Sequence, residues 1–533
     1  MATTTPPRRH LIPAPLAAAC LLGSMIFAVT NIKPTYQSLL RGAVEMTPTT
    51  PESIDEPRRQ LSISTFSDPK STIVRSDAPI MGDSASSGNM PNVIYLQHES
   101  LSGAIMLNTD EGVAATPFFN KMKNENDDFY VFEGGRTVSG VTIDALPALM
   151  SGCAPYTKES VEWLHKEGRP VGYNFKNRGY STASFSSRAL DADIQKGAWS
   201  MLYDVIVGGM DYVVDPLKMK WKLANAEGSD DREMLPLIEE WISGLESGKP
   251  FYAQMYNFNQ HYPHVKDESK PGFSHRYFDS LATTDEFLEK LFDILAKTGH
   301  LENTIVVGSG DHGEDPFKDK YVRLKALNSN ILHTAHYIYY PKHLMPNPAS
   351  ADIMRKNTQQ LTHTLDMHPT ISSILHGGYY NPLEVVPEGC ITGVDLTTIP
   401  IPDDRVVISW NHVSSYSLTK LPAQFWGLST RDSSGKDWSL YHRYAKSKHA
   451  AIKQGKNDWY VLEYGECTRN TKDLKNYCSS DKLSKSQTEL FQHAVEWVKH
   501  TPMLKEGIGD SKLVKKFVDK VKWKETGEYD IMS

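Results

Sequence analysis

The chain has 533 residues, of which 40% are hydrophobic and 23% are charged, a composition typical of a folded globular protein. The formal net charge of −7 argues against a basic nucleic-acid-binding protein, so we expect no nucleic acid among its partners. A mean hydropathy of −0.43 excludes a polytopic membrane protein. Five cysteines in so long a chain exclude a small disulfide-stapled protein.

One segment near the amino terminus has membrane character. Residues 11–30 contain no formally charged side chain, and their length of about 20 residues suits a helix that crosses a bilayer. Arg8 and Arg9 precede the segment, so the positive-inside rule predicts a cytoplasmic tail at residues 1–10. A cleaved signal peptide is the competing interpretation, because the segment is rich in alanine, and a buried core helix is the third. A membrane anchor predicts a single-pass membrane protein with a lumenal or extracellular catalytic domain. A cleaved signal peptide predicts a secreted protein.

Beyond this segment, the residue composition and the pattern of apolar residues divide the chain into three regions. Residues 31–90 are polar and rich in turn-forming residues, which predicts a flexible stem. Strands and helices alternate over residues 91–402, where we expect the catalytic domain. Beyond it, short strand candidates separated by turns predict a small antiparallel β subdomain, followed by a helical tail, over residues 403–533.

Short apolar runs of the kind that form buried parallel strands recur in the predicted catalytic domain. They occupy residues 92–96, 129–132, 251–258 and 304–307. Apolar residues with helical spacing occupy residues 232–245 and 285–297. This alternation predicts an α/β fold with a mainly parallel sheet sandwiched by helices. Ligands of such sheets bind beyond the carboxyl ends of the strands, so the polar residues that follow the strands are the candidates for chemistry.

The cysteines allow more than one pairing. Cys467 and Cys478 can form a disulfide in an oxidising lumen, and Cys153 and Cys390 can form a second one. Four cysteines allow three connectivities, and the sequence does not select among them.

Two of the predicted strands lead into candidate metal ligands. Glu99 follows the first strand, where a carboxylate can bind a hard metal ion or act as a base, although a surface acid or helix cap is the simpler interpretation of this residue alone. Asp311 and His312 follow a later strand and are flanked by glycines, which allow a tight turn and close approach to a ligand. Together they offer an oxygen and a nitrogen to one cation, and this string is the most specific signal in the chain.

The candidate nucleophile is Thr142, which opens a predicted helix that contains Pro147. A hydroxyl at this position usually caps the helix. A helix amino terminus also binds anions, so a nucleophile there would suit phosphate or sulfate esters.

Several histidines lie close to predicted strands. A lone histidine is more often structural than functional. We select His261 as functional and His333 and His336 as weaker candidates. We interpret three others as structural, namely His264, His363 and His368.

Together these residues resemble the alkaline phosphatase superfamily in its sulfatase-like branch. The resemblance covers residues 91–402 and, more weakly, the strands beyond them. The Asp311 string, the helix at Asp285 before it and the segment from Asp366 to Thr370 follow in the expected order. The resemblance implies an alkaline phosphatase-like fold and ester chemistry.

Two motifs indicate which enzymes of the sulfatase-like branch this chain resembles most. Sulfatases resemble one another in a Cys-x-Pro-Ser-Arg string whose cysteine becomes formylglycine, and the corresponding position here is Thr142. They also share an Asp-Asp pair after the first strand, where this chain has Gln97-His98-Glu99. A single Glu, a Thr nucleophile and an Asp-His pair are similar to lipoteichoic acid synthases and phosphoethanolamine transferases.

This resemblance implies one divalent metal ion, Mn, Mg or Zn. The implied metal ligands are Glu99, Thr142, Asp311 and His312. The resemblance also matches His261 to a substrate histidine. The match of His333 and His336 is looser, because the Val-Pro that flanks the family histidine is absent.

The favoured hypothesis is a metal-dependent enzyme that acts on phosphoesters through Thr142, as a hydrolase or as a phosphotransferase. His261, or His333, would hold the substrate oxygens and protonate the leaving group. The alternative is a sulfuric ester hydrolase that lacks the formylglycine motif, and the third hypothesis is a non-catalytic binding protein on the same fold. We expect a phosphate- or sulfate-ester substrate, and a membrane as partner through the amino-terminal segment.

Overall fold

The structure is a computed structural model of the chain. It describes residues 90–155, 170–188, 203–208, 228–264, 272–317, 329–378, 390–403, 405–411, 423–431, 437–445, 458–463, 521–523 and 529–531. The predicted cytoplasmic tail and membrane segment, nearly all of the stem, most of the helical tail, and Cys467 and Cys478 lie outside the described residues. The domain boundaries therefore stay predictions. Where the structure does describe the end of the predicted helical tail, at Val521–Trp523 and Tyr529–Ile531, the residues form two short strands, so the prediction of a helix there is wrong. Within the part that is described, no helix combines the length and the apolar character needed to cross a bilayer.

A mixed sheet of seven strands lies at the centre of the described residues, in the order β2-β9-β8-β1-β7-β5-β6. Strands β8, β1, β7, β5 and β6 are mutually parallel, and β9 and β2 continue the sheet in antiparallel fashion. Its strands are β1 (Asn92–His98), β2 (Phe129–Phe132), β5 (Ser181–Ser186), β6 (Val205–Gly208), β7 (Phe251–Asn257), β8 (Thr304–Gly310) and β9 (His336–Tyr339). The predicted α/β fold with a mainly parallel sheet is confirmed.

Smaller sheets accompany the central one. The short strands are β3 (Gly134–Arg136) with β10 (Leu361–His363), β4 (Ala154–Pro155) with β11 (Cys390–Ile391), and β16 (Val521–Trp523) with β17 (Tyr529–Ile531). The predicted antiparallel subdomain is present as β12 (Val407–Asn411), β13 (Ala423–Arg431), β14 (Asp437–Ala445) and β15 (Asp458–Glu463). This subdomain is joined to the rest of the molecule by buried polar contacts: Ser409 Oγ donates to the Thr137 carbonyl, and Arg136 pairs with Asp437.

Helices cover the two faces of the central sheet. They are α1 (Gly103–Asn108), α2 (Asp110–Ala115), α3 (Pro117–Glu125), α4 (Thr142–Ser151), α5 (Val171–Asn177), α6 (Leu235–Ser243), α7 (Arg276–Lys297), α8 (Ser329–Leu332), α9 (Ser350–Asn357) and α10 (Met367–Leu375). Short 3₁₀ helices occupy Asp231–Met234, Leu301–Asn303, Lys342–Leu344 and Thr364–Asp366.

The packing of strand β1 explains why residues 92–96 form a nearly continuous apolar run. Ile94 and Leu96 pack in one core cluster with residues of α7, such as Leu281. Val93 packs in the other core cluster with residues of α10, such as Ile371. Because both faces of the strand are buried, the period-two alternation of a half-exposed strand is absent.

Some elements differ from the sequence expectation. Helix α7 begins at Arg276, well before the predicted residues 285–297, because its first turns bury polar side chains that hide the helical pattern. One of these, Thr283, accepts a hydrogen bond from Asn259 at 2.9 Å. Strand β5 was not predicted, because four of its six residues are Ser or Thr, of which all but Ser181 are buried.

Candidate functional site

Glu99, Asp311 and His312 converge at the carboxyl edge of the central sheet. Glu99 directly follows β1, and Asp311 follows its neighbour β8, so the parallel pairing of these strands brings both carboxylates to one edge. One ligand atom from each of the three residues lies within 4.8 Å of the others, and all three side chains are buried. Residues far apart in the chain thus form one cluster.

Thr142 joins this cluster from the first position of α4. Its Oγ1 donates a hydrogen bond to Glu99 Oε1 at 2.8 Å and lies 3.1 Å from His312 Nε2. The cap of α4 is Val141, and no side chain caps the helix. The Thr142 hydroxyl therefore does not serve as a helix cap, and it lies with the candidate metal ligands.

The hydrogen bonds of His312 determine which nitrogen faces the cluster. Its Nδ1 lies 2.7 Å from the Gly313 carbonyl, which can only accept, so Nδ1 carries a proton. Nε2 lies 3.5 Å from Glu99 Oε1 and 3.7 Å from Asp311 Oδ2. In its neutral form His312 then presents the Nε2 lone pair to the two carboxylates, as a metal ligand does.

The cluster brings two buried carboxyl groups and one imidazole close together. Burial acts to raise the pKa of Glu99, but the positive charges of His261 and His312, with a smaller effect of Arg188, hold it at about 2. Burial and the neighbouring Glu99 charge raise the pKa of Asp311. Burial acts to lower the pKa of His312, but Asp311 and Glu99 outweigh it and raise that pKa. The raised pKa values of Asp311 and His312 both indicate that the carboxylates favour positive charge at this point.

The donor set fits a divalent cation. Asp311 Oδ2 is buried and has no hydrogen-bond partner among the described residues, although a buried carboxylate oxygen normally has one. Two carboxylates, an imidazole and a hydroxyl are ligands that Zn²⁺ and Mn²⁺ accept, and the oxygen donors also suit Mg²⁺. A cation at the centre of the cluster would satisfy Asp311 Oδ2 and offset the charge of the carboxylates.

His261 lies in the loop that follows β7, the other neighbour of β1. Its Nδ1 donates to the Tyr262 carbonyl at 2.7 Å, which fixes the orientation of the ring. The ring stacks on Phe258, with centroids 4.5 Å apart and an interplanar angle of 15°. Its charge lowers the pKa of Glu99, so His261 belongs electrostatically to the same site.

His333 and His336 are buried, together with Arg136, beside α1 and strand β10. His333 packs against Gly103, where an added Cβ would lie 2.8 Å from its ring. His336 Nδ1 is 3.0 Å from Thr362 Oγ1. Burial, with the nearby Arg136 charge, lowers the pKa of both rings, that of His336 to about 3. Both rings are therefore neutral near pH 7, and their functional roles stay predictions.

The histidines interpreted as structural have contacts of that kind. His264 Nδ1 donates to the Gln260 carbonyl at 2.9 Å, and His363 Nε2 donates to the Ile408 carbonyl at 2.7 Å. His368 packs against Gly152, which ends α4 in a left-handed conformation with φ of 69°.

Two further residues act on the site although no sequence motif predicts them. Tyr256, in β7, donates a short hydrogen bond to Glu99 Oε2 and thereby occupies the second oxygen of that carboxylate. Arg188 follows β5, and its positive charge contributes to the lowered pKa of Glu99. Burial raises the pKa of Tyr256, and the Arg188 charge opposes that rise. The available signal was a basic residue after a strand, but β5 itself carries too little apolar pattern to be recognised.

Comparison with known proteins gives a family and a fold. The sulfatase family model matches residues 91–377. Lipoteichoic acid synthase 2 of Bacillus subtilis is 27% identical over 236 residues, which are 42% of this chain and 35% of that protein. Lipoteichoic acid synthase 1 of the same organism is 26% identical over 246 residues, 42% of this chain and 36% of that protein. The chain thus spans about a third of the length of these curated relatives.

A solved structure from Bacteroides thetaiotaomicron, from work on the metabolism of multiple glycosaminoglycans, aligns with a TM-score of 0.51. The alignment covers 81% of this chain and 99% of that chain at 13% identity. At that identity the likeness supports the shared fold and nothing more.

Proposed function

Because the chain belongs to the sulfatase family of enzymes, we propose that it cleaves or transfers phosphoesters with Thr142 as the nucleophile. The observation that supports this most directly is the position of Thr142 Oγ1, 2.8 Å from Glu99 Oε1 and 3.1 Å from His312 Nε2. A hydroxyl that only capped a helix would bond to backbone N–H groups instead.

We propose that one divalent cation is held by Glu99, Thr142, Asp311 and His312. When bound, such an ion stabilises negative charge on the nucleophile and on the oxygens of the ester. The need for it follows from the residue chemistry, since an unassisted threonine hydroxyl is a weak nucleophile near neutral pH.

The residues of the chain have distinct tasks in this proposal. Glu99 orients the Thr142 hydroxyl by accepting its proton in a hydrogen bond, and Tyr256 fixes Glu99 in turn. Thr142 Oγ1 gives its proton to Glu99 Oε1 and forms a bond to phosphorus, while the bond from phosphorus to the leaving alcohol oxygen breaks. Protonated His261 gives its Nε2 proton to that departing oxygen. Water, or an acceptor alcohol, then gives its proton to His261 Nε2 and bonds to phosphorus, while the bond from phosphorus to Thr142 Oγ1 breaks and the proton on Glu99 returns to that oxygen.

Hydrolysis and transfer differ only in this last step. The curated relatives are named as lipoteichoic acid synthases, which favours transfer to an acceptor alcohol for this chain as well. Hydrolysis of a sulfate ester is the second candidate, and the match to the sulfatase family model is the observation in its favour.

We also propose that the catalytic domain works in an oxidising lumen or outside the cell. The disulfide between Cys153 and Cys390 supports this location, because such bonds are rare in reducing compartments. The amino-terminal residues 11–30 would then act as a membrane anchor or as a cleaved signal peptide.

The test uses the full chain with Mn²⁺, Mg²⁺ or Zn²⁺ and measures release of phosphate or sulfate from aryl esters. Thr142→Ala should lower turnover by at least about 1,000-fold, the size of effect expected for a nucleophile, and should form no covalent phosphoryl adduct in mass spectrometry.

Thr109 provides the matched control, because its hydroxyl accepts from Gly112 N and caps α2. Thr109→Ala should cost about 1 kcal/mol of stability and leave the rate unchanged. Full activity in Thr142→Ala would contradict the proposed nucleophile, and release of sulfate alone would favour the second candidate.

A further inference from the structure

The site extends along the sheet edge beyond the candidate metal ligands. Four parallel strands lie side by side in the order β8, β1, β7, β5, and each is followed at its carboxyl end by a polar residue. Asp311 follows β8, Glu99 follows β1, His261 follows β7 and Arg188 follows β5. The first two belong to the cluster of candidate metal ligands, and the last two are the cationic side of the same edge.

Phe258 holds the two basic side chains of this cationic side together. The Arg188 guanidinium carbon lies 5.3 Å from the centroid of the Phe258 ring, within the range of a cation–π contact. The His261 ring stacks on the same phenyl ring at 4.5 Å. The aromatic ring therefore determines where the guanidinium and the imidazole lie relative to each other.

A buried carboxylate anchors both loops from behind. Asp231 accepts hydrogen bonds from Ser187 Oγ, one residue before Arg188, and from Phe258 N at 2.7 Å. It also accepts from Asn259 N at 3.1 Å, two residues before His261. The loops that carry Arg188 and His261 are thus connected to each other through the Asp231 side chain.

The position of Arg188 indicates which part of a substrate it can meet. Strand β7 separates β5 from β1, so the backbones that carry Arg188 and Glu99 are about 10 Å apart. A phosphoryl group attacked by Thr142 would lie at the Glu99 and His312 side of this edge. The separation of the two strands leaves room for a second substrate group between Arg188 and the reacting ester.

We propose that Arg188 is a specificity-determining residue that binds a second anionic group of the substrate, beyond the reacting ester. This inference rests on the proposed function. The substrate class is then a phosphoester whose transferred part carries a carboxylate or a further phosphate. A guanidinium suits this task because its planar fork binds such oxyanions through two parallel hydrogen bonds.

The experiment compares ethyl phosphate with 2-carboxyethyl phosphate, which differs from it only by an added carboxylate group. Isothermal titration calorimetry on the metal-loaded full chain should give wild type a preference of about tenfold or more for the carboxylate-bearing ligand, the size expected for one charge-assisted pair. Arg188→Met should lose this preference, so that the two ligands bind with about equal affinity. Arg188→Lys should retain part of it.

The control is Arg355→Met on α9, an exposed arginine that pairs with Asp352 far along the chain from this edge. It should leave both affinities unchanged. The matching 4-nitrophenyl phosphodiesters are then assayed for turnover with the same variants. Equal binding of the two ligands by wild type, or an unchanged preference in Arg188→Met, would overturn the inference. Ligand binding without turnover of either diester would instead contradict the proposed function.

Discussion

The two oxygens of the Asp311 carboxylate have different environments. Oδ1 accepts hydrogen bonds from Ser100 N at 2.9 Å and from His312 N at 2.7 Å. Oδ2 has no hydrogen-bond partner among the residues that the structure describes. One oxygen therefore organises the backbone of the site, and the other is the oxygen that a cation would bind.

Asp311→Asn tests this division of labour. Asparagine keeps an oxygen for the two backbone donors and places an NH₂ group where Oδ2 lies, so the fold should persist while a metal ligand is lost. We expect metal affinity to fall by on the order of 100-fold or more, measured by calorimetry with Zn²⁺ and Mn²⁺ and by metal content after dialysis.

Glu314→Gln serves as the control for Asp311→Asn. Glu314 is also buried, but it is outside the cluster of possible ligands. The Glu314→Gln variant should bind the metal with the affinity of wild type. Unchanged metal binding in Asp311→Asn, with an unchanged melting temperature, would show that Asp311 is not a ligand.

At the scale of elements, one buried ion pair connects the start of α10 to the segment that precedes β12. Arg405 donates to both oxygens of Asp366, at 2.8 and 2.7 Å, and both side chains are almost fully buried. The same carboxylate accepts from His363 N and Val394 N. Three segments of the chain thus depend on one charged carboxylate.

The pair makes stability depend on pH. Burial acts to raise the pKa of Asp366, but Arg405 and the backbone donors outweigh it and hold that pKa below the ordinary value of 3.8. A depressed pKa stabilises the folded state when the carboxylate is charged in both states. This contribution is complete above about pH 5 and is lost as the pH falls through 3.8 and below.

Arg405→Met should destabilise the protein by about 3–5 kcal/mol near pH 7, because it leaves a buried carboxylate without its partner. The loss should shrink toward pH 4, where Asp366 of the variant becomes protonated. Urea denaturation between pH 4 and 8 measures both effects. Arg355→Met, which breaks an exposed pair, should cost no more than about 1 kcal/mol at any pH, and an equal cost in both variants would contradict this account.

At the scale of the whole molecule, a disulfide links two segments of the catalytic region that are far apart in the sequence. Cys153 and Cys390 are separated by 237 positions in sequence. Cys153 lies just after the carboxyl end of α4, the helix that begins with Thr142, and Cys390 begins β11. The bond therefore also limits how far the helix with the candidate nucleophile can move.

Replacement of both cysteines by alanine should lower the free energy of unfolding by about 2–4 kcal/mol, because the cross-link restricts the unfolded chain. Denaturation with and without a thiol reductant measures the effect. The reductant should destabilise wild type and leave the double variant unchanged. A wild type that is insensitive to reductant after full reduction of the bond, verified by mass spectrometry, would contradict the expected contribution.

The sequence by itself determined the features that depend on short-range patterns. Apolar runs that end in Glu99 and in Asp311-His312 were recognisable because a buried strand and the polar residues after it are contiguous in the chain. Thr142 was recognisable at a helix start for the same reason. Parallel pairing then brings such strand ends to one edge, so the convergence of these four residues could be predicted before any coordinates were known.

Only the tertiary structure decided the features that depend on distant partners. Strand β5 buries Ser and Thr residues within the folded domain, and nothing local marks them as core. The pairing of Cys153 with Cys390, and the approach of Tyr256 and Arg188 to Glu99, likewise join segments that no local pattern relates. Local side-chain periodicity reports which face of an element is buried, whereas the identity of the group that buries it is determined when the whole chain packs.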